Sequence, residues 1–384
     1  MRHHEKDKEL ALSLLREALD ETRGLDRRAF VKKLGQVAAG SAILGSFMGM
    51  AGSAGAQTRT LTTMNWGGSF QEAMVGAFIS PFEKNNPAIK VQYLTPYNFA
   101  KLVAAHQAKA QEVDTLTLAS VDMLRAQEAG MFQPLDWSKI DKTKLSEQQY
   151  TTLPNTISSL TLSDVMVFNK KKWPSGNHPK SWADFWDVKK FPGPRALERQ
   201  ANKAIPIALM ADGMDPKDPK FYPLDVYRAF KKLNEIKPHI KKWFTQGGEQ
   251  QQMIENEEVD LLLMWNGRAA DSILKNKVSY EIVWNQALYT GILQGWAILT
   301  GAKNPDDAHK LLDFVGRAEP QAAFARLIYY GPANLKAYDL LEPAFGKLMP
   351  SHPDNVKVAH QYDYRWLSTN LTEITRKFEA WLTA

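Results

Sequence analysis

Two short segments combine a tryptophan, a glycine and polar donors where an apolar stretch gives way to helix-like sequence. The first is Asn65-Trp66-Gly67-Gly68-Ser69, and the second is Trp265-Asn266-Gly267-Arg268. Backbone N–H groups at a helix start are free to bind carboxylate or carbonyl oxygens, and an indole offers a large apolar face. Each segment therefore predicts either a ligand contact or a tight turn with a capped helix, and the residues alone leave both interpretations open.

Further candidates have equally ordinary alternatives. Ser120 starts a helix-like segment after another apolar run and is either a ligand donor or a plain helix N-cap. Trp296 and Tyr330 are either cleft walls or core residues. Arg268 either binds a ligand oxygen or pairs with a structural carboxylate such as Asp271.

Several classes of chemistry lack their usual signature. The 384 residues include no cysteine, which excludes disulfides and thiolate metal sites. The sequence has no Walker A loop, no His-Glu-x-x-His and no Gly-x-Ser-x-Gly, and its eight histidines are scattered. The net charge of +6 is not gathered into a basic stripe, which argues against nucleic-acid binding. We predict no catalytic residue, no metal and no cofactor, with an exported hydrolase or oxidoreductase as the alternative.

The elements that position these residues alternate between short apolar runs and helical stretches, as in α/β proteins. Strands are predicted at 61–66, 89–93, 115–118, 163–169, 259–265, 281–284 and 292–299. Helices are predicted at 98–111, 223–236 and 248–256, with a largely helical tail from Pro305. The sequence Ser69-Phe70-Gln71-Glu72 predicts a capping box at the first helix.

The N-terminal 56 residues have the features of an export signal. Arg27-Arg28 is followed by an uncharged run that ends in the small residues Ala54-Gly55-Ala56. The run is long enough to span a bilayer but is diluted by Gly, Ser and Ala. Arg27-Arg28 resembles the twin-arginine export motif, with Asp26 where Ser or Thr is usual. We predict a removed signal and a mature chain that starts near Gln57, with a retained anchor as the alternative.

An ordered set of landmarks resembles extracellular solute-binding family 1, and within it the spermidine/putrescine-binding type. The matching pieces cover nearly the whole mature chain and are Asn65 to Ser69, Glu128 to Asp136, Ser181 to Asp187, Glu258 to Arg268, Gly301 to Asn304 and Tyr330 to Asn334. The resemblance implies a type II periplasmic binding protein, with two α/β lobes and a ligand cleft between them. It also implies delivery of the ligand to an ABC permease.

The same resemblance raises a question about ligand charge. Polyamine-binding members hold ammonium groups with carboxylates, and those acidic positions fall near Gln200, Lys203 and Gln294 here, with Ile292 replacing a partner aromatic residue. A buried lysine would repel a cation, so we predict a neutral or anionic ligand. A true polyamine receptor remains the alternative, with Asp122, Asp164 or Asp271 as the pairing acids.

The prediction therefore describes a non-enzymatic, monomeric periplasmic receptor exported by the twin-arginine translocase. Residues 1–56 form the signal, 57–164 and 297–345 one lobe, and 165–296 the other, while 346–384 form a helical tail of unassigned lobe. The predicted ligand-binding residues are Asn65, Trp66, Gly68, Ser69, Ser120, Lys203, Trp265, Asn266, Arg268, Gln294, Trp296 and Tyr330.

Replacing both signal arginines tests the export route. The double substitution Arg27→Lys plus Arg28→Lys removes the motif while keeping its charge, so we expect the precursor to accumulate in the cytoplasm. Fractionation followed by immunoblotting of the chain measures this, with Lys32→Arg plus Lys33→Arg as the matched control. Normal export of the double variant would contradict the twin-arginine assignment.

Overall fold

A computed structural model describes residues 58–384 except 119, 175, 292 and 293. The predicted signal, including Arg27 and Arg28, and the aromatic replacement at Ile292 lie outside the described residues. No helix in the described part has the length and apolar composition needed to cross a bilayer.

The described chain builds two larger β-sheets and one short ribbon. The strands, in chain order, are β1 Arg59–Met64, β2 Ile89–Leu94, β3 Thr115–Thr117, β4 Thr156–Ser158, β5 Leu160–Thr161, β6 Ser163–Asn169, β7 Arg195–Glu198, β8 Ile240–Phe244, β9 Leu261–Trp265, β10 Tyr280–Tyr289, β11 Gly295–Ile298, β12 Gly331–Pro332 and β13 His360–Gln361. The first sheet has the order β2-β1-β3-β11-β4, the second β13-β10-β6-β9-β7-β8, and β12 pairs with β5.

Helices of very different length connect the strands. They are α1 Ser69–Met74, α2 Ser80–Asn85, α3 Phe99–Gln107, α4 Ser120–Glu128, α5 Gln148–Thr151, α6 Trp182–Trp186, α7 Ala201–Ala211, α8 Val226–Ile236, α9 Gly247–Glu255, α10 Asn266–Leu274, α11 Pro305–Gly316, α12 Ala318–Ile328, α13 Pro343–Gly346, α14 Pro353–Val358 and α15 Tyr364–Thr383. The π-helical residues Val75–Ile79 join α1 to α2. Short 3-10 turns lie at Lys142–Lys144, Pro219–Phe221, Lys237–His239 and Leu335–Leu340.

Parallel pairing follows the alternation of strands and helices. Strand β1 is parallel to β2 and β3, and β7 is parallel to β8 and β9, because helices carry the chain back between them. Strands β6 and β11 run antiparallel to their neighbours. The predicted strand 163–169 matches β6, all seven residues of which are buried. Full burial explains why the residues Val165 to Phe168 form a continuous apolar run rather than an alternating pattern.

The chain passes between the two sheets three times. It leaves the first sheet after Ser158 and enters the second at Ser163, returns between Tyr289 and Gly295, and reaches the second sheet again at β13, His360–Gln361. The predicted lobe limits at 164/165 and 296/297 fall within β6 and β11. The division into lobes stays a proposal, and the sheets favour limits just before Ser163 and just before Gly295.

The C-terminal tail packs with helices of the second sheet and with α4. Leu367, Ile374 and Phe378 of α15 are buried in the same apolar cluster as Ile205 of α7 and Leu233 of α8. Burial of three apolar side chains fixes this 20-residue helix to the fold.

One local prediction at the first helix is wrong. Ser69 is not the N-cap but the first residue of α1, and no side chain caps this helix. Gly68 occupies the N-cap position with φ 66° and ψ −147°, a conformation that favours glycine. A capping box requires the hydroxyl one residue earlier, so the Ser69-to-Glu72 pattern is out of register.

Trp296 belongs to the core of the first sheet. Its side chain is fully buried, its ring packs edge-on against Phe78 at 6.3 Å, and its indole N–H donates to Ser159 Oγ at 3.0 Å. Trp284 on β10 is only half-buried and provides a comparison.

Truncation of this core residue should destabilise the protein strongly. We expect Trp296→Ala to lower the free energy of unfolding by about 3–5 kcal/mol, because it leaves a large cavity. Denaturant unfolding measures the loss, and Trp284→Ala should cost clearly less. Equal losses for the two variants would contradict the core assignment of Trp296.

Candidate ligand-binding cleft

A cleft of about 950 Å³ is lined by residues next to both sheets. Its walls include the segments that follow β1, β7 and β9, the start of α4, Asp164 of β6, Tyr362, and Tyr364 at the start of α15. Ligands of open α/β folds bind beyond the carboxyl ends of strands, where loops and helix starts expose polar groups. The position of this cleft is therefore that of a ligand site.

One wall is built from the first glycine segment. The indole of Trp66 meets Phe70 and Tyr97 edge-on at 5.4 and 5.0 Å, and Tyr93 donates its hydroxyl to the Trp66 carbonyl at 2.8 Å. A Cβ at Gly67 would lie 2.8 Å from Thr95 Oγ1, so this position has no room for a side chain. The aromatic contacts hold Trp66 in place beside the free N–H groups at the start of α1.

The opposite wall contains a buried ionic cluster formed by Asp164, Glu198 and Lys203. The Lys203 ammonium donates to Asp164 Oδ1 at 2.8 Å and to Glu198 Oε2 at 2.7 Å. The side chains of the two acids are only 2% and 1% exposed, and that of Lys203 is 10% exposed. We call this group the acid–lysine cluster. It carries two carboxylates and one ammonium, so it keeps one excess negative charge.

The environment changes the proton affinities within this cluster. The pKa of Asp164 is raised to about 6, because burial and, to a smaller extent, the nearby Glu198 outweigh the opposing effect of the Lys203 ammonium. Burial alone lowers the pKa of Lys203, but the two carboxylates outweigh that effect and raise it above its usual value. Lys203 therefore stays protonated, and Asp164 is the group that titrates near neutral pH.

Trp265 connects the cluster to a second cation. Its ring centroid lies 5.4 Å from the Lys203 ammonium and 5.4 Å from the Arg268 guanidinium carbon. The indole N–H donates to Glu198 Oε2 at 3.1 Å, and Gln200 donates to Glu198 Oε1 at 2.8 Å. These contacts fix the indole plane as part of the cleft wall.

Arg268 is a cation without an acid. It donates from Nη1 to Gln251 Oε1 at 2.6 Å, and in the described part of the chain no carboxylate pairs with it. Asp271, the acid considered from the sequence, pairs with Lys275 at 2.6 Å instead. A Cβ at Gly247 would lie 2.4 Å from Arg268 Nε, so the glycine that starts α9 makes room for the guanidinium.

Tyr330 is positioned by the second glycine segment. A Cβ at Gly267 would lie 2.6 Å from its ring and 2.5 Å from the Ile328 carbonyl oxygen. Burial raises the pKa of Tyr330 to about 12, with Arg268 and Lys203 opposing and Asp164 reinforcing the shift. The phenol is therefore neutral at physiological pH. It is close enough to Arg268, Lys203 and Asp164 for their charges to influence its pKa.

The structure brings most of the predicted binding residues together. Nine line the cleft: Trp66, Gly68, Ser69, Ser120, Lys203, Trp265, Arg268, Gln294 and Tyr330. That these residues contact the ligand remains a prediction. The structure meets one condition for it, because all nine residues line the same cavity.

The other three predicted residues lie behind the cleft wall and are fully buried. Asn65 accepts the Thr117 N–H at 3.0 Å, which ties β1 to β3. Asn266 accepts the Ser163 N–H at 3.0 Å and donates to the Tyr329 carbonyl at 2.7 Å. Trp296 lies in the core described above. The structure therefore gives these side chains a supporting position rather than one in the lining.

Other lining residues were not predicted from the sequence as contacts. They include Asp164, Asn202, Gln251, Tyr362 and Tyr364. Asp164 was weighed only as a possible partner for a polyamine. The two tyrosines flank Asp363, whose carboxylate caps α15 by accepting the Trp366 N–H. Asp363 ahead of a long amphipathic helix is a recognisable N-cap signal in the sequence. No neighbouring sequence feature indicates that this helix start lies at the cleft.

Removal of the Lys203 charge should expose the cost of the buried acids. We expect Lys203→Met to lower the free energy of unfolding by about 3–5 kcal/mol near neutral pH, because two buried carboxylates lose their counter-ion. Lys90→Met, at an exposed ion pair with Glu83, should cost at most about 1 kcal/mol.

The pH dependence of that loss has a definite sign. A carboxyl whose pKa is higher in the folded state contributes stability at low pH that is lost as pH rises through the folded pKa. Without Lys203 the pKa of Asp164 rises further, so the deficit of Lys203→Met should be larger at about pH 8 than at about pH 5. Chemical denaturation of the wild type and of Lys203→Met at both pH values measures the difference in the free energy of unfolding. A larger difference at about pH 5 than at about pH 8 would contradict the ion pairing proposed for Asp164 and Lys203.

Comparison with known proteins places this fold and cleft in a family. The family of bacterial extracellular solute-binding proteins matches over residues 77–353. The gamma-aminobutyric acid-binding protein of Pseudomonas aeruginosa is 30% identical over 340 residues, which cover 87% of this chain and 94% of that protein. The spermidine/putrescine-binding periplasmic protein of Escherichia coli is 26% identical over 335 residues, with 80% and 87% covered.

A solved structure shows the same architecture. A GABA receptor is 31% identical, with a TM-score of 0.75, and the match covers 84% of this chain and 98% of that chain. The sequence-based resemblance and the two-lobed α/β fold class are confirmed. The chain belongs to the bacterial extracellular solute-binding protein family and is a substrate-binding receptor of an ABC transporter.

Proposed function

We propose that the cleft binds a zwitterionic ω-amino acid of the γ-aminobutyrate type, with one carboxylate and one ammonium. The observation that carries the proposal is the free cation Arg268 facing the same cavity as an acid–lysine cluster with one excess negative charge. A desolvated charge is stable only with a partner. A ligand with one charge of each sign satisfies both walls.

The full set of charges along the cleft supports the same ligand class. The lining contains three acids, Glu72, Asp164 and Asp271, and three cations, Lys203, Arg268 and Lys275. Glu198 of the acid–lysine cluster lies behind this lining, so the carboxylates of this set outnumber its cations by one. A di- or trication would bring its second ammonium towards Arg268, so this distribution favours a solute of zero net charge. The proposed ligand has no net charge and so falls within the predicted neutral or anionic class. The predicted reason, repulsion of a cation by a buried lysine, is incomplete, because Asp164 and Glu198 surround Lys203.

The uncharged part of the cleft suits a short methylene chain. Trp66, Phe70, Trp265 and Tyr330 supply aromatic surface, and Ser120 and Gln294 supply polar atoms. Ligand sites typically combine mostly apolar walls with a few fixed polar groups. The relatives described above that bind γ-aminobutyrate are consistent with such a ligand.

The same proposal covers the rest of the transport cycle. We infer a non-enzymatic monomer in the periplasm, exported by the twin-arginine translocase, that hands its ligand to an ABC permease. Support comes from the signal-like residues 1–56 and from the periplasmic relatives.

Calorimetric titration of residues 57–384 separates the ligand classes. We expect γ-aminobutyrate to bind at least ~10-fold tighter than butyrate, n-butylamine, putrescine or spermidine, because only the zwitterion satisfies both walls. We expect Arg268→Gln to weaken γ-aminobutyrate binding about 100-fold, since a charge-assisted contact is lost. Arg376→Gln, at an exposed pair with Glu373, is the control and should bind normally.

Two results would overturn the proposal. If spermidine or putrescine bound as tightly as γ-aminobutyrate, the alternative of a true polyamine receptor would be favoured. Unchanged γ-aminobutyrate affinity in Arg268→Gln would remove the role of the free cation.

A further inference from the structure

We propose that Lys203 is a built-in ammonium that occupies an amine-binding site and thereby sets the specificity of the cleft against free amines. The site consists of Asp164, Glu198 and the ring of Trp265, and the lysine side chain fills it from α7. This inference deepens the proposed function, because it explains how a cleft with buried acids can select a zwitterion.

The groups around the Lys203 ammonium are those that recognise a free amine. Two carboxylate oxygens accept from Nζ at 2.8 and 2.7 Å, and an indole ring lies 5.4 Å away. Acids combined with an aromatic face are the general solution for binding a desolvated cation in a protein. The acceptors are also nearly inaccessible to water, with 2% and 1% exposure of their side chains.

The walls of this site are held independently of the lysine. Asp164 lies on β6, Glu198 on β7 and Trp265 on β9, and these strands are neighbours in one sheet. Glu198 is fixed by donors from Gln200 and Trp265 in addition to Lys203. Strand pairing and these hydrogen bonds preorganise the acceptors, so the site should persist when the side chain of Lys203 is shortened.

The tether gives Lys203 a decisive advantage over a free amine. An ammonium attached to the same chain is present at a high effective concentration, whereas a solute must lose translational freedom to bind. A diamine would have to displace Lys203 or bind beside it. The first costs a buried ion pair, and the second leaves only one excess negative charge for two ammonium groups.

A shortened side chain tests the proposal directly. Lys203→Ala keeps Cβ and removes the remaining three methylenes and the ammonium, which n-propylamine replaces atom for atom. Alanine is also the best helix former for this position in α7. Lys203→Met is the matched control, because it removes the same charge but fills the space.

The expected outcome is a gain of amine binding in one variant only. We expect n-propylamine and putrescine to raise the Tm of Lys203→Ala and to bind it at least ~10-fold tighter than they bind the wild type or Lys203→Met. Propanol and propionate, which have the same length without the positive charge, should have no effect. The natural ligand need not be known, so failure of this test is distinct from failure of the γ-aminobutyrate titration.

Three outcomes would overturn the proposal. They are no effect of either amine on a folded Lys203→Ala variant, an equal effect on Lys203→Met, and amine binding of similar strength in the wild type. If Lys203→Ala does not fold alone, its refolding yield is measured with n-propylamine and with propanol, and equal yields would contradict the proposal.

Discussion

The cleft depends on the burial of two carboxylates next to one ammonium. Asp164 and Glu198 are almost without solvent, and Lys203 between them supplies the positive charge that offsets the burial of their carboxylates. The same contacts position the rest of this wall, because the Glu198 oxygen that accepts from Lys203 also accepts from the indole of Trp265. The orientation of Trp265 then defines where the guanidinium of Arg268 can lie.

Two glycines leave the space that Arg268 and Tyr330 occupy in the cleft, whereas hydrogen bonds hold the acids in place. A side chain at Gly247 would occupy the space of the Arg268 guanidinium, and one at Gly267 would strike Tyr330 and the Ile328 carbonyl oxygen. Each glycine starts or follows the start of a helix, so the backbone turn and the room for a neighbour come from one residue. The pattern Trp-Asn-Gly-Arg is therefore a packing requirement as well as a source of proposed ligand contacts.

The sequence allowed the fold class, most strand positions and nine cleft residues to be predicted, because these depend on local periodicity and on turn chemistry. What it could not supply was pairing between distant residues. Lys203 was identified as basic and buried, but one of its two acidic partners, Asp164, lies 39 positions earlier, on β6. Tryptophan is a residue type that often lines a cleft, but Trp296 occupies a core position. Only its packing against Phe78 distinguishes the two roles. The predicted N-cap at Ser69 is wrong by one residue. Residue types locate a helix start only to within one or two positions, and backbone geometry decides between them.

The tail adds a constraint that neither glycine segment provides. Helix α15 is buried against α7 and α8 of the second sheet, yet Arg125 of α4, next to the first sheet, donates to the Ser368 carbonyl at 3.1 Å. Tyr364, at the start of α15, lines the cleft together with Ser120. One helix thus contacts elements of both sheets at the edge of the ligand site. A movement that widened or narrowed the cleft would change the contacts between α15 and α4, and their energy would then contribute to that movement.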